Sequence, residues 1–159
     1  MKYLIKKLSI YDAKSCFFLI KDDLFLKKYD LSWNFNSLKN TLANEVNNSF
    51  GIYFDNNLLG YILSNFVSHK QSSELEILFI FIHKSYRRLQ LGTLLLEYLI
   101  NKVGKENKLE VYLEIASSNV IAKHFYESFG FENFYIRKNY YKLHNGVRED
   151  AKNYKYILN

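Results

Sequence analysis

A mixed α/β (α+β) fold, one sheet with helices on both of its faces, is what this sequence predicts, and three observations predict it. Strand-like and helix-like stretches follow one another in the order β-α-α-β-β-β-α-β-α-β-β. Apolar residues make up 48% of the chain and aromatic residues 18%, ample for a packed interior and too many for disorder. The 159 residues fit one domain, 1–159, without an internal repeat or a low-complexity segment.

Each element has its own signal. Tyr3 to Ile10 alternates loosely and reads as a first strand. Asp12 to Leu24 is helical by pattern, with Cys16, Phe17, Leu19 and Ile20 on its apolar face. A loop holding Ser32, Trp33 and Asn34 leads to a second helix over Asn36 to Glu45, where Leu38 and Leu42 lie one turn apart. Phe50 to Phe54 and Leu58 to Val67 are strands joined at Asp55-Asn56-Asn57, residue types that accept the left-handed geometry of a tight hairpin. Gln71-Ser72-Ser73 turns the chain into a strand from Leu75 to Ile82.

From Gly92 a helix is marked by Leu95, Leu99 and Val103 and by Leu96 and Ile100, with Gly104 placed to cap its end. Lys108 to Ala116 alternates: Leu109, Val111, Leu113 and Ile115 share one face and Glu110, Tyr112 and Glu114 the other. Asn119 stands at an N-cap position. The helix behind it is expected to turn Ile121, Ala122, Phe125 and Phe129 inward and to end at a left-handed Gly130, closed by Phe131. Strands over Phe134 to Lys138 and Tyr154 to Leu158, separated by Asn145-Gly146, finish the order.

The stretch FIFIHKSYRRLQLG, Phe79 to Gly92, is the centre of the functional argument. A buried strand, a loop carrying Lys84, Arg87 and Arg88, and a helix N-terminus together suit phosphate. Free N–H groups at the helix start point outward, and the helix dipole favours an anion. By spacing alone, an ordinary strand-to-helix connection remains the competing reading.

Composition narrows the alternatives. Cys16 is the lone cysteine, so no disulfide framework or CxxC pair exists, and an inert buried thiol is expected. His69, His83, His124 and His144 do not pair at metal-ligand spacing, so no metal is expected. Lys2, Lys6 and Lys7 interrupt any apolar run at the start, and no stretch reaches a membrane span; a soluble cytoplasmic protein is expected. The net charge of +6 admits an acidic partner, ribosomal RNA included. Yet no basic run with interleaved aromatics follows one helix, and direct nucleic-acid binding is not expected.

FIHKSYRRLQLGTLLLEYLI resembles the acetyl-CoA-binding segment of the GNAT N-acetyltransferases, whose signature Arg/Gln-x-x-Gly-x-Gly/Ala stands here as Arg87-Arg88-Leu89-Gln90-Leu91-Gly92. LEIASSNVIAKHFYESFGFE is similar to that superfamily's second half. Within it the chain most resembles the RimI family, which acetylates the N-terminal alanine of ribosomal protein bS18. The supporting pieces are Ser32-Trp33, Leu113-Glu114-Ile115 with Ser118-Asn119, Phe125 to Phe131, Arg137 to Tyr141, and Gly146-x-Arg148-Glu149-Asp150-Ala151.

The resemblance implies a GNAT-like, mostly antiparallel twisted sheet and acetyl-CoA as cosubstrate. It implies that the backbone of Ile80, Phe81 and Ile82 pairs with the pantetheine amides and that Arg88 to Thr93 wraps the pyrophosphate. Asn119 is implied to bond the pantetheine arm. Glu114 matches the general base and Tyr126 the general acid. Glu76 competes as base, because other members of the superfamily keep theirs in that region, and Glu110 is expected to lie too far along its strand. Arg137, Asn139, Tyr140 and Tyr141 are candidates for the peptide groove. Gln90 departs from the signature's first glycine, so it must accept a helical conformation or shift the loop. The remaining readings are another protein N-terminus, a lysine or a small amine as acceptor, a non-catalytic acyl-CoA-binding module, and a basic protein docking on ribosomal RNA.

Overall fold

A computed structural model describes residues 2–28, 33–104, 108–143 and 145–159; Ser32 and His144 lie outside them. Among the described residues seven strands form one sheet in the order β1-β2-β3-β4-β5-β7-β6. They are β1 (Leu4–Lys7), β2 (Phe50–Phe54), β3 (Asn57–Ser68), β4 (Ser72–Ile82), β5 (Lys108–Ala116), β6 (Glu132–Lys142) and β7 (Arg148–Leu158). Only β4 and β5 run parallel; the other neighbours are antiparallel.

The helices are α1 (Ala13–Ile20), α2 (Leu24–Lys28), α3 (Phe35–Ala43), α4 (Leu91–Val103) and α5 (Val120–Phe129). Helices α1 and α3 cover one face, where Cys16, Leu38 and Leu42 pack on Tyr61, Leu63 and Phe81. Helix α4 and Tyr126 of α5 cover the other, with Leu95, Leu99, Ile62, Val111 and Tyr154 at the centre of that core.

Local chemistry explains most boundaries. Asp55 and Asn56 take φ of 47° and 64°, the left-handed pair that a two-residue hairpin turn needs. Asn34 caps α3 reciprocally: its Oδ1 accepts from Ser37 N at 2.9 Å, and Ser37 Oγ accepts from Asn34 N at 2.9 Å. At the end of α5, Gly130 has φ of 105°, and the Phe131 N–H reaches back to Tyr126 O at 3.0 Å, closing the helix as the glycine predicts.

The structure corrects several expectations. The helix expected over Asp12 to Leu24 is split, because the chain leaves α1 after Ile20 and restarts at Leu24. The first strand ends at Lys7, and Leu8 instead drops into the core at 1% exposure. Ile121 is not inward: it is 72% exposed on the first turn of α5. The last two strands are each 11 residues long, well beyond the short runs expected. Their length hides in the sequence because β6 is an edge strand, exposed nearly throughout and lacking apolar alternation.

One irregularity positions the site. Leu63 pairs with Phe79 while Ser64 pairs with Ile77, so Leu78 is a bulge in β4. Before it, Leu75 and Ile77 face the α4 side. After it the parity flips, with Ile80 and Ile82 on that side and Phe79 and Phe81 on the other. Pairing of β4 with β5 stops at Ile77↔Leu113, and beyond that point the two parallel strands part.

Candidate active site

Where β4 and β5 separate, a cavity of about 750 Å³ opens between them. One wall is the backbone of Phe79 to Ile82. On its other side this segment pairs with β3 at Gly60 to Leu63, but it has no strand partner on the β5 side among the described residues. Pairing requires backbone groups on both edges of an inner strand, so this open edge presents donors and acceptors for an extended ligand.

The loop from Arg87 to Thr93 forms one end. Gln90 adopts φ 59° and ψ 14°, and Arg88 has φ 66°, so the expected choice at Gln90 is resolved in the left-handed helical region. Two non-glycine residues accept that geometry at a cost of about 1–2 kcal/mol each. The turn thereby delivers the chain into α4 with the N–H groups of Leu91, Gly92 and Thr93 free of intrahelical acceptors. A Cβ at Gly92 would stay 3.6 Å or more from every neighbouring protein atom, so internal packing does not require glycine there. Its absence of side chain keeps the cavity clear at the helix start.

Two residues of this loop have side chains engaged or directed elsewhere. The Arg87 guanidinium donates from Nε to Ile82 O at 2.9 Å and from Nη2 to Asp23 Oδ2 at 2.6 Å, so its charge is compensated by the α1–α2 turn. Leu89 is 52% exposed and does not line the cavity, whereas Arg87, Arg88, Gln90, Leu91, Gly92 and Thr93 do. The partner of Arg87 is 64 positions away, and no local pattern announces it.

The opposite end gathers the titratable groups. Glu114, Asn119 and Tyr126, from β5 and α5, all line the cavity. The Glu114 carboxylate is bracketed: Arg137 Nη1 donates to Oε2 at 3.1 Å, and the Tyr141 hydroxyl donates to Oε1 at 3.4 Å. The Arg137 guanidinium lies 3.6 Å from the centroid of Tyr140, which it covers. Tyr126 is 3% exposed, and burial pushes its phenol above the ordinary range, so it holds its proton at neutral pH. Burial first, then the nearby Glu114 charge, does the same to Tyr141. Asn119 Oδ1 accepts from Ala122 N at 3.1 Å, the expected cap, while its side chain borders the cavity.

The competing carboxylates lie elsewhere. Glu76 precedes the β4 bulge, is exposed and does not line the cavity; Asn65 Nδ2 donates to it at 3.5 Å. Glu110 is bound by Lys108 and Tyr112, each at 2.6 Å. Leu26 and Trp33 also line the cavity, Trp33 tilted against Phe79 at 5.5 Å between centroids. Trp33 belongs to the stretch that carries the family resemblance; Leu26 has no such signal, since α2 has no amphipathic pattern of its own. Asn139 has φ 53° in a bulge of β6 and does not line the cavity. Chemically, the cleft offers a carboxylate acceptor of protons, a protonated phenol and a row of backbone donors around one elongated space.

Comparison with known proteins agrees with this arrangement. The model of the acetyltransferase (GNAT) family matches residues 9–131. The [ribosomal protein bS18]-alanine N-acetyltransferase of Escherichia coli is 43% identical over 72 residues, 45% of this chain and 48% of that protein. Zebrafish (Danio rerio) N-alpha-acetyltransferase 50 is 36% identical over 92 residues, 57% of this chain and 54% of that protein. The chain is thus matched over about half the length of these curated relatives. The crystal structure of the Escherichia coli enzyme superposes with a TM-score of 0.83 at 25% identity, covering 98% of this chain and 94% of that one. Arabidopsis thaliana Naa50, solved with the bisubstrate analogue CoA-Ac-MVNAL, superposes at 0.78 with 20% identity over 98% and 99% of the two chains. The chain belongs to the acetyltransferase (GNAT) family.

Proposed function

We propose that this protein transfers an acetyl group from acetyl-CoA to a protein N-terminus, and that its acceptor is the N-terminal alanine of ribosomal protein bS18, for which the Escherichia coli relative is named. The observation that carries the reading is the presence of Glu114 and Tyr126 on one cavity, beside an open strand edge and a helix N-terminus.

The residues present fit the cosubstrate. The open edge at Ile80, Phe81 and Ile82 suits amide groups in an extended arm. The Arg88 to Thr93 backbone suits a pyrophosphate, and Asn119 adds a side chain at the cavity wall. Bound there, acetyl-CoA supplies a thioester carbon open to attack by an amine.

The amine must be uncharged to attack. An N-terminal amine has a pKa of about 8, against about 10.4 for lysine. At neutral pH its deprotonation therefore costs about 1 kcal/mol, within reach of a carboxylate acting directly or through water. Glu114 takes that proton as the C–N bond forms. Tyr126, kept protonated by burial, gives its proton to the sulfur as the C–S bond breaks. Arg137 and Tyr141 hold the Glu114 carboxylate from the acceptor side.

The reading carries a cytoplasmic location, with neither a membrane nor nucleic acid as a direct partner; no described helix is long and apolar enough to cross a membrane. A second acceptor class, a methionine-first N-terminus, is favoured by the likeness to Naa50 and its MVNAL analogue. The test supplies acetyl-CoA with three hexapeptides, beginning with the source's own bS18 sequence, with MVNAL and with an internal lysine. Acetylation of the alanine peptide above the other two supports the proposal. Preference for MVNAL selects the second class, and the absence of transfer to any peptide overturns both.

A further inference from the structure

The segment Arg148-Glu149-Asp150-Ala151 takes no part in the chemistry above, yet its hydrogen bonds reach both walls of the cleft. Glu149 and Asp150 are neighbours on β7, and neighbouring side chains leave a strand in opposite directions. Glu149 Oε2 accepts from Ser117 Oγ at 3.2 Å and from Ser118 N at 3.1 Å, and its Oε1 accepts from Ser118 Oγ at 3.1 Å. Those serines form the turn that delivers Asn119 and α5, the helix carrying Tyr126.

Asp150 goes the other way. Between the pairs Arg137↔Ala151 and Tyr141↔Glu149, three residues of β6 stand opposite Asp150 alone. Asp150 Oδ1 accepts from Asn139 N at 3.0 Å, and Oδ2 from Lys138 Nζ at 2.7 Å. Arg148 Nη1 donates to Asn139 O at 3.2 Å, so the left-handed Asn139 is held at both its N–H and its carbonyl. This bulge sets where Arg137, on one side, and Tyr141, on the other, meet Glu114.

We propose that Glu149 and Asp150 are positioning residues that hold the two walls separately: Glu149 fixes the cofactor wall through the Ser117–Ser118 turn, and Asp150 fixes the acceptor wall through the β6 bulge. Charge-assisted bonds to backbone N–H groups are stronger than neutral ones, which suits carboxylates to the task. The assignment rests on the acetyl-transfer reading for the names of the two walls.

The test uses the full chain with Asp150→Asn and Glu149→Gln, which keep size and remove charge. Asp150→Asn is expected to raise the acceptor KM about tenfold while the acetyl-CoA KM stays within about twofold. Glu149→Gln is expected to do the reverse. Hydrogen exchange read in parallel should show faster exchange confined to 137–141 in the first variant and to 117–126 in the second. Should the wild-type chain transfer no acetyl group, the functional reading falls, and the exchange maps alone still decide the division of labour. If either variant loosens both segments or changes both KM values together, or if neither changes anything, the proposal is overturned.

Discussion

On its cofactor side the cleft presents backbone: the unpaired edge of Phe79 to Ile82 and the N–H groups at the start of α4. On its other side it presents side chains: Glu114 and Tyr141 line it, Tyr141 donating to Glu114, while Arg137, stacked on Tyr140, pairs with Glu114 from the exposed edge strand. The first wall depends on chain path. Any sequence that bulges β4 at Leu78 and turns left-handed at Arg88 and Gln90 produces it. The second depends on identity, since the bonds to Glu114 are made by the side chains of Arg137 and Tyr141. A backbone wall can therefore keep its shape through drift in the loop, as the left-handed Gln90 in place of glycine illustrates, while a side-chain wall changes with each substitution.

The largest effects are expected where identity matters. Glu114→Gln removes the proton acceptor but keeps its shape, and kcat should fall about 10²- to 10³-fold, with CoA affinity by calorimetry unchanged. Wild-type turnover in this variant would return the base to Glu76 or to solvent. Tyr126→Phe should lower kcat about 10- to 100-fold. Burial disfavours the phenolate, so the Tyr126 pKa is raised and its proton is retained as pH climbs through the assay range. Any alkaline loss of activity between pH 8 and about 10 must then have another source, and it should persist in Tyr126→Phe. Its disappearance in that variant would show that Tyr126 itself loses its proton in that range and that burial does not hold it.

The same contrast governs what could be read from the sequence. Backbone features announce themselves locally: the Asp55-Asn56 turn, the Asn119 and Gly130 ends of α5, and the apolar run into the loop at Arg87. The path of the chain along this wall was accordingly legible, and the resemblance to a known loop implied a ligand for it. The β4 bulge was not, because a continuous apolar run from Ile77 to Ile82 looks the same with or without an extra residue. Arg87 looked like a free cation because Asp23 is distant in sequence. The β6 strand lacked alternation because neither of its faces is buried, so the Arg137–Glu114 pair could be reached only through the register of β6, β7 and β5. Trp33 and Tyr141 were recognisable by type, but what each touches is a tertiary fact.

A medium effect should break the backbone wall without touching chemistry. A Cβ on Gly60 would stand 2.5 Å from Phe81 O and 2.5 Å from Ile82 Cδ1. The carbonyl cannot swing aside as a side-chain tip can, so Gly60→Ala must push β3 and β4 apart at the residues that border the cavity. About 1–3 kcal/mol of stability should be lost in urea unfolding, and CoA affinity should drop with it. A stability loss that leaves CoA binding intact would show that the edge at Phe81 and Ile82 does not hold the ligand.

The smallest effect tests whether shape alone suffices at Gln90. Glycine reaches φ near 59° without the strain of about 1–2 kcal/mol, but it also frees the unfolded chain at a cost of about 0.4–1 kcal/mol, and the two contributions to stability oppose one another. Binding does not involve the unfolded chain, and the loop already has its left-handed turn. Gln90→Gly should therefore leave the CoA dissociation constant within about threefold, 0.7 kcal/mol being roughly a factor of three. Gln90→Val meets the same turn with a β-branched side chain that resists it, and it should weaken CoA about tenfold by forcing the loop elsewhere. Equal affinities for Gln90→Gly and Gln90→Val would mean that the turn is not what binds the anion. Tightening beyond tenfold in Gln90→Gly would mean that the glutamine side chain, and not the path of the backbone, limits the site.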